Sequence, residues 1–326
     1  MRVPPEVASE TIAAALDAGI TIFDTARAYD GNEAMLVRAI RGRHARIVTK
    51  GGMSRPDGAW VPDGRAKSIR SDCEASLIAL DGHPIDLYLL HTPDPRTPLG
   101  TSLRALARLV DDGLVRSVGI CNVNLRQLDE ALDIAPISAV QVALSVFDDR
   151  ALRGGVVERC AERDIVVMAH SPLGGPRRAH TVAKRDALAR IAAARDASPA
   201  EIALAWLMGL SDVVVPIPGA RRPDTARSAA RAATIELDAS EMAAVGGVRP
   251  AARSSASGAT VVVVMGIPGA GKSRYAETYS GSVRLNRDER GGRSATSPTR
   301  STRNWQREPG RSSATTPISH ARRGAT

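Results

Sequence analysis

The stretch IFDTARAY (residues 22–29) completes a short apolar strand and carries an aspartate followed five residues later by a tyrosine. Two later apolar segments also end on an ionisable residue. IVTK (residues 47–50) ends on Lys50, and DLYLLH (residues 86–91) ends on His91. Because the carboxyl ends of parallel strands meet at one edge of a sheet, these patterns predict that Asp24, Tyr29, Lys50 and His91 lie together.

Short apolar strands alternate with amphipathic helices, which predicts right-handed βαβ units and a parallel sheet. The strands have no polar–apolar alternation, so helices are expected on both faces of the sheet. The predicted strands are residues 20–23, 47–49, 85–90, 115–120, 139–143, 165–169 and 213–216. The predicted helices are residues 4–18, 33–41, 66–80, 99–112, 126–132, 152–163, 181–195, 199–210 and 224–233, with a Gly/Pro/Asp loop at residues 51–64.

Two architectures fit this alternation, an open doubly wound sheet and a closed (β/α)8 barrel. A doubly wound sheet concentrates its site at one switch point, whereas a barrel collects chemical groups from many strand ends. Polar residues follow nearly every predicted strand, namely Asp24, Lys50, His91, Asn122, Gln141 and Ser171. The predicted fold class is therefore α/β, a (β/α)8 barrel. Only residues 1–3 precede the first predicted helix, so we expect a barrel lacking its first strand and less stable than a complete one.

The formal net charge is +9, but residues 291–326 contain seven arginines and only one glutamate. The remaining charge is ordinary, so the composition does not indicate nucleic-acid binding. The sequence has neither an apolar run of about 18 residues, as a membrane span requires, nor the layout of a secretory signal at its start. Three scattered cysteines, Cys73, Cys121 and Cys160, favour neither a disulfide framework nor a metal cluster, and a reducing cytoplasm is the expected location.

Seven stretches in register resemble the aldo-keto reductases, and the resemblance covers residues 6–245. It is closest to the bacterial branch related to the potassium-channel β-subunits. The stretches are FDTARAY (23–29), IVTK (47–50), DLYLLH (86–91), GLVRSVGICN (113–122), AVQVALS (139–145), HSPLGG (170–175) and VPIPGARRPD (215–224). The resemblance implies a barrel enzyme that reduces carbonyl groups with a nicotinamide cofactor.

The resemblance implies that Asp24, Tyr29, Lys50 and His91 form the catalytic tetrad of that family. Carbonyl reduction needs a hydride donor and a proton donor, and Tyr29 is the implied proton donor. The ammonium group of Lys50 is expected to lower the pKa of Tyr29, with Asp24 holding the lysine in place. His91 is expected to hydrogen-bond the carbonyl oxygen or to help relay the proton.

The resemblance also implies a site for the nicotinamide of NADP(H). Asn122 and Gln141 match the residues that hold its carboxamide. His170 stands where many relatives have an aromatic residue stacked on the nicotinamide ring. Cys121 departs from the family pattern, in which a serine often precedes the asparagine.

The phosphates of the cofactor are implied to bind two further segments. Ser171, Pro172, Leu173 and Gly174 resemble the pyrophosphate-binding segment. A second group resembles the adenosine-phosphate site and consists of Ile217, Gly219, Arg221 and Arg222. Arginines there suit a dianionic 2′-phosphate, which favours NADP(H) over NAD(H). Ala229 stands where an asparagine often contacts the adenine.

A second motif follows a linker at residues 251–259. TVVVVM (260–265) leads into GIPGAGKS (266–273), which has the strand, glycine-rich loop and following helix of a P-loop. Backbone N–H groups around Gly266, Gly269 and Gly271 would wrap phosphate, Lys272 would neutralise it, and Ser273 would bind the Mg²⁺ of ATP. VRLNRD (283–288) resembles a strand of polynucleotide-kinase-like phosphotransferases, in which the residue matching Asp288 is the general base.

Residues 291–326 are rich in Arg, Ser, Thr and Pro and are expected to be disordered. A frameshift is the preferred explanation for this abrupt change, and a basic tail that binds nucleic acid is the alternative. The predicted division is a reductase barrel at residues 1–250, the linker at 251–259, a truncated P-loop kinase fragment at 260–290, and the tail.

Three functions stay open at this point. The first is NADP(H)-dependent reduction of an aldehyde or ketone, the second is a nucleotide- or polynucleotide-kinase fragment, and the third is an NADP(H) sensor without turnover. The expected partner is a small carbonyl substrate. Met53 and Trp60 are the candidates for an apolar wall of its pocket. Neither the identity of the substrate nor the oligomeric state can be read from the sequence.

Overall fold

A computed structural model describes residues 4–246 of the 326-residue chain. Its strands are β1 Ile22–Asp24, β2 Arg46–Gly51, β3 Met53–Ser54, β4 Val61–Pro62, β5 Ile85–Leu90, β6 Val118–Cys121, β7 Ile137–Ala143, β8 Val166–His170 and β9 Val214–Pro216. Its α-helices are α1 Pro5–Asp17, α2 Asn32–Ala39, α3 Ala66–Ala79, α4 Leu99–Asp111, α5 Leu125–Ile134, α6 Arg150–Arg153, α7 Val156–Glu162, α8 Gly175–Arg178, α9 Asp186–Ala194, α10 Pro199–Leu210, α11 Pro223–Arg231 and α12 Ala239–Gly246. Short 3-10 helices cover Pro56–Gly58, Ala179–Lys184 and Ala232–Thr234.

Seven strands form one parallel sheet in the order β1-β2-β5-β6-β7-β8-β9. This order follows the chain without reversing, as a barrel wall does, whereas a doubly wound sheet reverses at its switch point. The sheet curls into a half-barrel. The predicted α/β architecture with a barrel-type parallel sheet is therefore confirmed in this open form.

The side chains of the sheet divide into two apolar layers. In β5, Leu87 and Leu89 belong to a small inner cluster with Val48, Cys121, Ala139 and Met168. Tyr88 and Leu90 from the same strand belong to the large outer cluster that packs against the helices. Every residue of β5 is buried, which explains why all but Asp86 are apolar or aromatic, and Asp86 is paired with Arg116. Each fully buried Leu or Ile side chain stabilises the fold by roughly 1.5–3 kcal/mol.

The two ends of the sheet lie next to a large cavity. Strands β1 and β9 have three residues each and stand first and last in the strand order. Within residues 4–246, β1 pairs with β2 and β9 pairs with β8, but β1 and β9 do not pair with each other. Helices α1 and α11 pack against each other. Together with β1 and β9 they line a cavity of about 1050 Å³.

The structure differs from the sequence prediction in several elements. The loop predicted at residues 51–64 contains an antiparallel hairpin of β3 and β4. The helix predicted at residues 152–163 is wrong in its start and its continuity, because Gly154 and Gly155 divide α6 from α7, and Gly155 has a φ of 76°. Residues 179–184 form a 3-10 helix before α9 in place of one long helix over 181–195. Helix α12 was not predicted.

The predicted linker, P-loop fragment and tail lie outside the described residues and stay predictions. Among the residues that the structure describes, no helix is both long and apolar enough to cross a lipid bilayer.

Candidate active site

The buried centre of the site is an ion pair between neighbouring strands. Asp24 is the last residue of β1, and Lys50 is the fifth residue of β2, which pairs with β1. Lys50 Nζ donates to Asp24 Oδ2 over 2.6 Å and to the carbonyl oxygen of Thr25 over 2.7 Å. The lysine side chain is fully buried, whereas 15% of the aspartate side chain is exposed. The pair therefore fixes one positive charge beneath a small opening.

One aromatic ring contacts this charge, and two further rings pack against that ring. Tyr29 follows β1, and its ring centroid lies 5.4 Å from Lys50 Nζ. His91, directly after β5, packs edge-on against Tyr29 with the ring centroids 5.7 Å apart. Trp60, from the hairpin, lies 6.1 Å from the Tyr29 ring and 5.6 Å from the His91 ring. All four predicted tetrad residues are thus brought together, with Trp60 as a neighbouring wall.

The burial of Tyr29 corrects one expectation about its acidity. Burial raises the pKa of Tyr29, and the opposing effect of Lys50 is smaller, so the net shift is upward. The expected net lowering of the Tyr29 pKa is wrong, and Tyr29 holds its proton at neutral pH. Burial alone would lower the pKa of Lys50, but Asp24 and Tyr29 raise it, and the net pKa is raised. Lys50 therefore stays an ammonium ion.

His91 is a neutral imidazole in this site. Burial, followed by the charges of Lys50 and His170, lowers the pKa of His91 to about 4. Its Nδ1 is buried and has no hydrogen-bond partner among the described residues. A neutral ring can donate one hydrogen bond, but it carries no extra proton to transfer near pH 7. The proton-relay alternative for His91 is therefore less well supported than the orienting one.

The two predicted amide side chains also reach this site. Gln141 Nε2, from β7, donates to Asp24 Oδ1 over 2.8 Å, so the glutamine braces the carboxylate that holds Lys50. Asn122 Nδ2 donates to the carbonyl oxygen of His91 over 3.1 Å, and Asn122 Oδ1 lies 3.0 Å from Nε2 of His170. The contact between Gln141 and Asp24 was not foreseen.

The loop after β8 turns away from the tetrad towards a second cavity. This cavity, of about 460 Å³, is lined by Ser171 and Gly174 and by arginines on the neighbouring segments. Two of the arginines are already paired with aspartates, Arg150 with Asp148 and Arg153 with Asp149. Pro172 is buried and Leu173 is half-buried. The Gly174 N–H already donates to the carbonyl oxygen of Ser171, and Asp148 and Asp149 also line this cavity. The pyrophosphate role of this segment stays a prediction.

The large cavity connects the tetrad to the loop after β9. Asp24 and Tyr29 line one part of it, and Ile217, Pro218 and Gly219 line another. Ala229 also lines this cavity, whereas Arg221 and Arg222 are exposed just outside its lining. The cavity thus runs from the tetrad residues Asp24 and Tyr29 to the segment that resembles the adenosine-phosphate site.

The described residues give little support to a metal centre or a nucleophilic cysteine. Residues 4–246 contain no cluster of three or more His, Cys, Asp or Glu side chains able to hold a metal ion. The three cysteines are free and buried, and burial raises the pKa of the Cys73 and Cys160 thiols to about 12. The thiolate forms needed for nucleophilic chemistry are therefore suppressed.

Comparison with known proteins points to one family. The model of the Aldo/keto reductase family matches residues 1–249. "Probable aldo-keto reductase 1" of Glycine max is 31% identical over 237 residues, covering 63% of this chain and 68% of the soybean protein.

Two solved structures are similar to the fold. A thermostable aldo-keto reductase in complex with the inhibitor epalrestat has a TM-score of 0.66 and 32% identity, covering 74% of this chain and 87% of the other. An aldo-keto reductase from Klebsiella pneumoniae in complex with NADPH has a TM-score of 0.66 and 26% identity, covering 76% of this chain and 87% of the other.

Proposed function

The chain belongs to the aldo/keto reductase family, and from that premise we propose that it reduces an aldehyde or ketone to an alcohol with NADP(H). The observation that carries this proposal is the buried Lys50–Asp24 pair, 2.6 Å long, beneath the ring of Tyr29. A fixed cation next to a protonated phenol is the arrangement that a carbonyl oxygen needs as it gains negative charge.

In the proposed reaction Tyr29 donates its hydroxyl proton to the carbonyl oxygen of the substrate. Lys50 stabilises the resulting phenolate, because its raised pKa keeps it charged throughout. His91, neutral at physiological pH, donates a hydrogen bond that orients the same oxygen. Asp24 and Gln141 hold Lys50 in position through the contacts on either side of the carboxylate.

When bound, NADP(H) supplies the hydride. Asn122 and His170 are proposed to contact the nicotinamide end, since their side chains meet each other over 3.0 Å next to His91. Gln141 would join them at the floor of the site. Ser171 to Gly174 and the loop at Ile217 to Gly219 would hold the phosphates and the adenosine.

The preference for NADP(H) over NAD(H) is proposed from Arg221 and Arg222, which precede α11 at the outer end of the large cavity. Guanidinium groups bind phosphate dianions through paired hydrogen bonds. The Klebsiella pneumoniae relative binds NADPH, which supports the same choice.

The finer assignments of the chain remain proposals. We place the end of the reductase barrel near residue 250, and the family match, which ends at residue 249, supports this boundary. The relation to the potassium-channel β-subunit branch rests on the sequence resemblance alone. The P-loop fragment at residues 260–290 is a separate prediction to which the comparisons add no support.

The proposal is tested by following NADPH oxidation with a panel of aldehydes and ketones. Wild-type protein should consume NADPH, and Tyr29→Phe should lower kcat by about 10²–10⁴-fold, because it removes the proton donor but keeps the ring contacts. Calorimetry should show unchanged NADPH affinity in this variant. Tyr88→Phe is the matched control: it also removes a buried hydroxyl, which donates to the carbonyl oxygen of Ile69 in the layer that packs against the helices.

Two results would count against the proposal. Full activity in Tyr29→Phe would refute Tyr29 as the acid. NADPH binding without turnover of any carbonyl compound would favour the sensor function.

A further inference from the structure

The β3–β4 hairpin carries two side chains, Trp60 and Arg55, beside the site. β3 begins two residues after the end of β2, the strand that carries Lys50, and β4 runs back antiparallel to it. Between the two strands, Trp60 lies against Tyr29 and His91, yet 50% of its surface is exposed. Half of this indole is therefore free to contact a substrate whose carbonyl lies at Tyr29.

Arg55, from the same hairpin, stacks on Trp60. Its guanidinium carbon lies 4.1 Å from the centroid of the Trp60 ring, a cation–π contact that limits the positions the arginine can take. Arg55 Nη2 also donates to the carbonyl oxygen of Gly58 over 2.8 Å. The guanidinium is thus held by two contacts within the hairpin, one to the Trp60 ring and one to the backbone.

The charge of Arg55 is not neutralised within the part of the chain that the structure describes. Its contacts there are an indole ring and a carbonyl oxygen, and neither is an anion. Nearby arginines differ in this respect: Arg65 pairs with Asp63 over 2.6 Å, and Arg96 pairs with Asp94 over 3.2 Å. Arg55 therefore keeps donors for an external anion.

Resting on the proposed carbonyl reduction, we infer that Arg55 and Trp60 form a subsite for an acidic end of the substrate. The preferred substrates are aldehydes that carry a carboxylate at the end opposite the carbonyl. With the carbonyl at Tyr29 and His91, the body of such a substrate lies along Trp60 and its carboxylate reaches Arg55. Charge-assisted hydrogen bonds between guanidinium and carboxylate then select it over neutral aldehydes.

The test compares 4-carboxybenzaldehyde with its methyl ester, which keeps the ring and the position of the carboxyl group but loses the charge. Wild-type protein should have the higher kcat/KM for the acid. In Arg55→Met the ratio of acid to ester should fall about fivefold, as expected for an ion pair near the surface, and chiefly through KM. Arg55→Lys should retain part of the preference. Arg65→Met, which removes a neighbouring cation already paired with Asp63, should leave the ratio unchanged.

A binding measurement separates this inference from the proposed function. The affinity for 4-(hydroxymethyl)benzoate, measured by calorimetry in the presence of NADP⁺, should also fall about fivefold in Arg55→Met. That result supports the subsite even if no aldehyde is reduced. An equal acid-to-ester ratio, or equal affinity for this acid, in wild type and Arg55→Met would overturn it.

Discussion

Lys50 is a fully buried cation whose charge depends on Asp24. Removing either partner leaves the other charge buried without compensation, which is far more costly than removing both. Lys50→Met and Asp24→Asn should therefore each lower the free energy of unfolding by about 3 kcal/mol, as measured by urea denaturation.

The double change Lys50→Met with Asp24→Asn should recover a large part of that loss, since it leaves no unpaired charge. Both single variants and the double variant should lack reductase activity. A double variant whose loss equals the sum of the two single losses would contradict the pairing.

His91 should make the stability of the protein depend on pH. Its pKa is lowered from 6.5 to about 4 in the folded state, so the unfolded chain takes up this proton first as the pH falls. The contribution of the neutral His91 ring to the free energy of unfolding is complete above pH 6.5 and is lost as the pH falls towards 4. It amounts to about 3 kcal/mol.

Melting temperatures of wild type and His91→Asn between pH 4 and 7 check this dependence. As the pH is lowered, the melting temperature of His91→Asn should fall less than that of wild type. His180→Asn changes an exposed histidine on another segment. Its melting temperature should fall with pH as that of wild type does. Equal slopes in wild type and His91→Asn would mean that His91 is charged in the folded protein.

At the scale of elements, β6 and β7 approach so closely that only glycine fits at position 119. A Cβ atom there would lie 2.3 Å from the carbonyl oxygen of Ala139 and 2.6 Å from Leu89 Cδ2. Gly119→Ala should therefore force the strands apart and lower the free energy of unfolding by about 2–3 kcal/mol. It should also weaken NADPH binding, since β6 leads into Asn122 and β7 carries Gln141.

Gly219→Ala provides the control for this change, because a Cβ at that position meets no atom within 4 Å. Its melting temperature should match that of wild type. An unchanged melting temperature in Gly119→Ala would show that the two strands separate without cost.

The strands and their order were predictable, but the hairpin was not. A strand buried on both faces, such as β5, is apolar apart from polar groups that find partners, and this leaves a clear run from Leu87 to Leu90 in the sequence. Strands β3 and β4 have only two residues each, too few to show an alternating pattern. The second residue of β4 is Pro62, a residue type that argues against a strand.

The proximity of Asp24, Tyr29, Lys50 and His91 was predictable for a similar reason, since they lie at or just beyond the carboxyl ends of strands that are adjacent in the sheet. The hydrogen bond between Gln141 and Asp24 joins residues 117 positions apart and crosses the inside of the curled sheet. Strand-end positions predict that two side chains share an edge of the sheet, but they do not specify which atoms meet.

For the whole molecule, one cavity touches both ends of the sheet, at Asp24 at the end of β1 and at Ile217 after β9. A ligand that fills it contacts both ends, so NADPH should raise the free energy of unfolding. The expected gain is about 2.7 kcal/mol at a concentration of 100 times Kd. Thermal denaturation with and without NADPH measures it.

NADH at the same concentration should raise the melting temperature less, because it lacks the 2′-phosphate. In Arg222→Ala this difference between the two cofactors should shrink. Equal shifts with NADH and NADPH in wild type would remove the support for a preference based on the arginines.

The position of β1 also decides how the site fluctuates. Its three residues hydrogen-bond along one side within the described residues, whereas β5 is held on both sides. Backbone amides of β1 and β9 should therefore exchange with deuterium through local opening, well before those of β5 and β7. Asp24 stands on the first of these strands, so each such opening releases the anchor of Lys50. The fraction of molecules with Lys50 held in place is then set by how often β1 is paired with β2.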